Sequence, residues 1–195
     1  MNGAIDQPVE ADSSLIRRLN NGETDAFDVL FQRHRKGLFA YVRGMVTDRG
    51  LAEDIVQECF LELARHAVEI RPEQGVTGWL YRVGRNRAID MLRARRPEAA
   101  RADRALTDEP GDQDIADPGP TPLDHAIARG EIENVRRALD MLSPKDRDIL
   151  LLRYFGDLKF SEIAGLRKRP LGTVLWQATR SLEKIRKLLA GIEEA

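Results

Sequence analysis

The chain has one cysteine in 195 residues, few aromatics (6%), and no apolar run of the length needed to cross a bilayer. Each shortage removes a class of protein. A single thiol, Cys59, cannot form an intramolecular disulfide, and with only the scattered His34, His66 and His125 it cannot complete a zinc set. Cys59 sits in an apolar helical stripe and reads as a buried structural thiol. The low aromatic share beside 32% charged residues favours helices over a sheet sandwich. An excess of either charge is also missing: 31 Lys and Arg stand against 32 Asp and Glu, for a net charge of -1. Any preference for a charged partner must therefore lie in local asymmetry. The N-terminal MNGAIDQPVEADSS is acidic and lacks the basic and apolar regions of a signal peptide, so a soluble cytoplasmic protein without membrane insertion is expected. No metal-ligand cluster, glycine-rich phosphate loop or nucleophile–base pair is present. The adjacent carboxylates Glu53 and Asp54 point about 100° apart on a helix and make a poor catalytic pair. The expectation is no enzyme and no cofactor.

What the chain does have is local. The stretch WLYRVGRNRAIDMLRARR, Trp79 to Arg96, reads as one amphipathic helix. Leu80, Val83, Gly84, Ala88, Met91 and Leu92 follow the spacing of a buried stripe. Arg82, Arg85, Asn86, Arg93 and Arg96 fall mostly on the other side. A solvated charged face is the plain alternative, but only Asp90 interleaves, so i, i+4 ion pairing explains little of it. Guanidiniums gathered on one face suit a polyanion, above all nucleic acid.

Around this helix the chain divides into an acidic lead (1–13), a helical segment (14–96), an acidic Pro- and Gly-rich stretch (97–122) and a second helical segment (123–191). In the first segment Thr47 to Gly50 reads as a turn with Asp48 as N-cap. A helix over Leu51 to about Ala67 follows, with Ala52, Ile55, Val56, Cys59, Phe60 and Leu63 as its inner stripe. The segment 97–122 holds almost no large apolar residue and reads as an extended linker. Beyond it, a helix is expected over Leu123 to Met141. Ser143-Pro144, a hydroxyl cap before proline at the first helical position, starts another that runs to about Tyr154. A short helix (Phe160 to Leu166), a tight turn and a longer helix (Leu171 to Leu189) make a helix-turn-helix pattern.

Both segments resemble a bacterial RNA polymerase sigma factor of the sigma-70 family, in its extracytoplasmic-function (ECF) group. AEDIVQECFLEL (Ala52 to Leu63) is similar to the family's polymerase-clamp helix. The arginine helix is similar to the helix after the promoter-melting loop, with Asn86, Asp90 and Arg93 matching its N…D..R pattern. LDMLSPKDRDILLLRYFGDLKFSEIA, followed by GTV, resembles the region that reads the upstream promoter element. The resemblance implies an all-α fold of two small helical domains, sigma region 2 (14–96) and the region 4 helix-turn-helix (123–191), joined by the acidic linker. It implies core RNA polymerase as partner, through the beta-prime clamp helices and the beta flap, with Asp54, Gln57 and Glu58 as the contact on the first domain. It implies a base-capturing loop over roughly Ala67 to Gly78, with Trp79, Arg82, Arg85, Asn86, Arg93 and Arg96 serving the minus-10 element. Trp79 reads as a partly buried anchor for that loop; Asn86 either touches DNA or braces it. The linker is either a plain spacer or a mimic of nucleic-acid charge in the RNA path.

The sequence departs from the family where it would read DNA. Leu175, Trp176 and Gln177 stand where the family places a basic residue, a small residue and another arginine, although Arg180 still matches. Two readings remain open. In one, Gln177 reads an adenine edge, Arg180 a guanine or phosphate, and Trp176 makes apolar contact in the major groove. In the other, Leu175 and Trp176 pack against a partner or the preceding domain, and DNA binding is weak. Arg167, Lys168 and Arg169 replace the usual turn residues and offer phosphate anchors beside Thr173. Lys159 replaces a capping serine, so the short helix is expected to fray or to begin at Ser161. Ala64 stands where tryptophan is frequent, and the melting loop is about one residue short.

The function implied is promoter recognition during transcription initiation. No built-in inhibitor is evident, so the resemblance implies an anti-sigma factor that masks these surfaces. The competing reading is a helix-turn-helix regulator that binds duplex DNA without polymerase.

Overall fold

The computed structural model describes residues 10–70, 75–95 and 132–193, and every regular element among them is helical. In the first segment α1 spans Asp12–Asn20, α2 Asp25–Met45 and α3 Arg49–His66. A single 3-10 turn, Ala67–Glu69, follows, and α4 spans Val76–Arg95. Asp48 caps α3 as expected, its carboxylate accepting from the Leu51 N–H at 3.1 Å. Ala52, Ile55, Val56, Cys59, Phe60 and Leu63 all face inward. Phe60 meets Phe27 and Phe31 of α2 edge-on, with ring centroids 6.3 and 4.8 Å away. The core closes over Cys59 and pushes its thiol up to about 12, so it is inert at neutral pH.

Helix α4 starts earlier than the sequence suggested, at Val76, and takes in the end of the expected melting loop. Residues 71–74 of that loop and Arg96 lie outside the described residues, as do the linker 97–122 and the expected helical start before Ile132. Leu80, Gly84 and Ala88 are buried and Val83 and Leu92 partly so, but Met91 is 42% exposed and does not belong to the stripe. Tyr81 is buried instead, its ring 5.2 Å from that of Tyr41.

The second segment supplies α5 (Ile132–Asp140), α6 (Pro144–Phe155), α7 (Phe160–Arg167) and α8 (Leu171–Glu193). Ser143 caps α6, accepting from the Asp146 N–H at 3.2 Å, with Pro144 in the first turn. Contrary to expectation, α7 does not fray. Its missing serine is offset by Glu162, whose carboxylate takes the Lys159 N–H at 2.7 Å. The α7–α8 turn closes with Lys168 in the left-handed region (φ 54°). Lys168 N–H donates to Gly165 at 3.2 Å and Arg169 N–H to Ala164 at 3.0 Å, a Schellman closure carried by lysine where glycine is usual. Val174, Ala178, Leu182, Ile185 and Leu189 form the buried stripe of α8, as their spacing predicts.

The two segments share one continuous core, because α6 lies against α2. Gly37, Tyr41 and Gly44 fall on one face of α2 at i, i+4 and i+7. A Cβ on Gly37 would come within 2.8 Å of the Phe155 carbonyl oxygen, and one on Gly44 within 2.7 Å of Leu151. Both glycines therefore permit the close approach of α6.

Candidate nucleic-acid interface

Helix α4 sends its cations in different directions. Arg82 and Asn86 are exposed, and Arg93 is exposed with a loose pair to Asp90 at 3.7 Å. Arg87 leans to α3 and pairs with Glu58 at 2.7 Å. Arg85 turns inward to α6, its Nε donating to Asp148 Oδ2 at 2.8 Å. Trp79 is buried at the start of the helix, an anchor rather than a free stacking platform.

Asp148 is the centre of this arrangement. Only 2% exposed, it accepts from the Tyr41 hydroxyl at 2.9 Å through its other oxygen, and Arg167 lies 3.4 Å away. Two guanidiniums and a phenol around one buried carboxylate satisfy its charge and most of its acceptor sites. Burial, then the neighbouring carboxylate, raises the Tyr41 phenol well above its ordinary range, so it remains a donor.

The face that the sequence offers to the major groove is partly engaged within the protein. Arg167 Nη1 donates to Gln177 Oε1 at 3.2 Å, and the Gln177 amide donates to Asp146 at 3.1 Å. Lys184 pairs with the same Asp146. The Gln177 side chain thus has both ends occupied. Leu175 packs against the buried core. Trp176 lies under the Arg180 guanidinium, 5.2 Å from the ring centroid. Lys168 and Arg169 are exposed and Thr173 is half-buried, so the turn presents two cations beside the start of α8.

On α3 the outward stripe is Asp54, Gln57 and Leu61, all exposed, with Leu61 at 55%. Glu58 lies at the edge of this stripe, held by Arg87. Leu61 and Asp148 escaped the sequence reading for the same reason. Leu61 sits in an apolar run and Asp148 closes a charged one (Lys145 to Asp148), where periodicity alone does not show an outward leucine or a buried carboxylate.

Two family descriptions match the chain: "Sigma-70 region 2" over residues 30–98 and "Sigma-70, region 4" over residues 132–185. The RNA polymerase sigma factor CarQ of Myxococcus xanthus is 32% identical over 178 residues, spanning 91% of this chain and 97% of CarQ. The RNA polymerase sigma-H factor of Pseudomonas aeruginosa is 31% identical over 193 residues, with 92% and 94% covered. The fold is shared with CnrH, solved in complex with the cytosolic domain of CnrY, at a TM-score of 0.67 and 22% identity over 93% of this chain and 99% of CnrH. It is also shared with the sigma factor RpoE of Bartonella quintana, solved with the anti-sigma factor NepR, at 0.63 and 20% over 86% and 98%. No helix among the described residues is long and apolar enough to cross a membrane. A region 2 helix bundle followed by a region 4 helix-turn-helix, with relatives similar along nearly their whole length, leads to one assignment: the chain is a sigma factor of the sigma-70 family, in its extracytoplasmic-function group.

Proposed function

We propose that the chain binds core RNA polymerase through the outward face of α3 and directs it to promoters by engaging a minus-10 element with α4 and a minus-35 element with the α7–α8 unit. The observation that carries this is the separation of chemistries on α3 and α4. One exposes carboxylate, amide and leucine; the other exposes Arg82, Asn86 and Arg93. Asp54 and Gln57 can hydrogen-bond to basic side chains of a partner helix pair, and Leu61, one turn beyond Gln57, supplies apolar area at the end of the stripe. The α4 cations suit the backbone of a separated strand, where arginines follow phosphates and bases leave the stack.

In the second unit Lys168 and Arg169 anchor phosphates at the start of α8, while Thr173, Trp176 and Arg180 reach the groove. Arg167 and Gln177 join them once they leave their internal partners. The protein contributes recognition and strand capture, while polymerase carries out the chemistry. A protein of the anti-sigma class, as NepR is for the sigma factor RpoE of Bartonella quintana, is the expected antagonist.

The test is polymerase dependence. Purified protein should be retained by core polymerase on a column, and the pair should give run-off transcripts whose start sites share two upstream elements. Footprinting of specific duplex without polymerase, combined with no retention by core, would refute this reading and favour a stand-alone regulator.

A further inference from the structure

We infer that Trp176 is a positioning residue for Arg180: its ring holds the guanidinium ready to read a guanine, so that one stacked arginine sets the base preference of the upstream element. The inference rests on the reading that α8 enters the major groove there. Leu175, Trp176 and Gln177 are the residues in which this helix departs from the family pattern, and the structure sends them different ways. Leu175 packs on the core, and the Gln177 amide is taken at both ends by Arg167 and Asp146. Trp176 lies on the side of α8 opposite the buried stripe of Val174, Ala178, Leu182 and Ile185. Arg180, one turn further along that side, is exposed and lies over the Trp176 ring, 5.2 Å from its centroid.

Arg180 has a competing partner within reach. Glu183 is exposed three residues on, at the spacing where arginine and carboxylate pair on a helix, yet no ion pair joins them among the described residues. The guanidinium turns instead toward the N-terminal end of α8, the direction in which long helical side chains lean. That end of a recognition helix is the one that meets base edges. Stacking uses the plane of the guanidinium and leaves the N–H donors at its rim available. The fork can then meet O6 and N7 of one guanine together, the pairing that sets guanine apart from the other bases. An arginine loose in solvent loses much of its rotamer freedom on binding. The ring removes part of that freedom beforehand, which favours the bidentate geometry. Lys168 and Arg169, exposed at the turn, supply phosphate contacts that are indifferent to base, so anchoring and reading fall on separate residues.

The test uses the full chain with core polymerase and promoters randomised across the upstream element, base preference being read from the sequenced transcripts. Arg180→Ala should remove a guanine preference at one position, a loss of about tenfold. Trp176→Leu, apolar but without an aromatic face, should reduce the same preference about twofold to fivefold, and Trp176→Phe should retain most of it. Neither Trp176 variant should change the salt dependence of promoter binding. In an Arg180→Ala background Trp176→Leu should change the preference no further, because it acts through the arginine. In the free protein the ring should shift the side-chain NMR signals of the Arg180 δ protons upfield, and Trp176→Leu should abolish that shift. Additive losses in the double variant would mean that Trp176 touches the bases itself, and they overturn the inference. So does an unchanged guanine preference in Trp176→Leu or in Arg180→Ala, which would leave the pair as a support of the helix alone, and so does the lack of an upfield shift. If the wild-type protein with core selects no upstream element, the reading of α8 as the promoter-reading helix fails, and the wild-type control separates that failure from the others.

Discussion

Arg87 holds Glu58 at 2.7 Å, joining α4 to α3 beside the outward stripe of Asp54, Gln57 and Leu61. Of the three polymerase contacts expected from the sequence, Glu58 is thus the one with an ion-pair partner among the described residues. Both side chains are close to half exposed, so the pair adds little to stability, but it fixes the direction of Glu58.

The expected order of effects on polymerase affinity follows from that geometry. Leu61→Asp should cause the greatest loss, on the order of tenfold or more, because it replaces the large apolar side chain of the stripe with a charge. Asp54→Ala should lose about threefold to tenfold, and Glu58→Ala less than that, since Arg87 already occupies its carboxylate. Titration of core polymerase with labelled protein measures all three. A loss from Glu58→Ala exceeding that from Leu61→Asp would place the contact on a different face.

Arg82 and Arg85 differ in a testable way. Arg82 is exposed, so Arg82→Ala should reduce open-complex formation more than polymerase binding, with the salt dependence of promoter binding lowered by about one counterion. Arg85 has a second partner in Asp148. Arg85→Ala should also reduce open complexes, but it should loosen the contact of α4 with α6 as well. Permanganate footprinting of separated bases, set against retention by core, distinguishes the steps. Equal loss of both in Arg82→Ala would remove α4 from promoter melting.

Much of this architecture was legible because its determinants are local. Asp48 and Ser143-Pro144 announce helix starts within four residues, and the α8 stripe from Val174 to Leu189 needs only its own spacing. Errors came where a partner lies far along the chain. Met91 fits the stripe of α4 by period, yet it is 42% exposed, and Tyr81, outside the expected stripe, is buried by Tyr41 and the carbonyl of Phe155. Lys159 is a poor cap by residue type, and Glu162, three residues on, accepts its N–H in place of a capping hydroxyl. Arg167 and Gln177 read as free DNA ligands because no sequence period reveals that Asp148 and Asp146 meet them. The face of Gly37, Tyr41 and Gly44 was the available signal for a docked helix, since small residues at that spacing invite close packing.

Lys168 carries a backbone cost. A non-glycine residue in the left-handed region is disfavoured by roughly 1 kcal/mol relative to glycine, partly offset by glycine's freer unfolded chain. Lys168→Gly should therefore stabilise the protein by about 0.5 kcal/mol, a rise in Tm of roughly 1–2 °C, while weakening DNA binding through the lost cation. Lys168→Ala should weaken DNA binding equally without raising Tm. Thermal unfolding of the two variants separates backbone from charge, and equal Tm values would contradict the strained turn.

Acid sensitivity should centre on Asp146. Burial alone would raise its carboxyl, but hydrogen bonds from Lys184, Gln177 and the capped turn at Ser143 outweigh that and leave it below the ordinary carboxylate range. A carboxyl lowered in the folded state contributes stability that is fully present above its unfolded value, about 4, and is lost as pH falls through the folded value. Asp146→Asn should therefore be less stable than wild type by about 1–3 kcal/mol at neutral pH, through the charged bond to Lys184. The difference should stay level down to about pH 5 and shrink below about pH 4. Urea unfolding from pH 7 to pH 3 measures it. A gap that stayed constant through the acid range would mean that Asp146 titrates alike in both states and that its bonds to Lys184 and Gln177 do not favour the charged form.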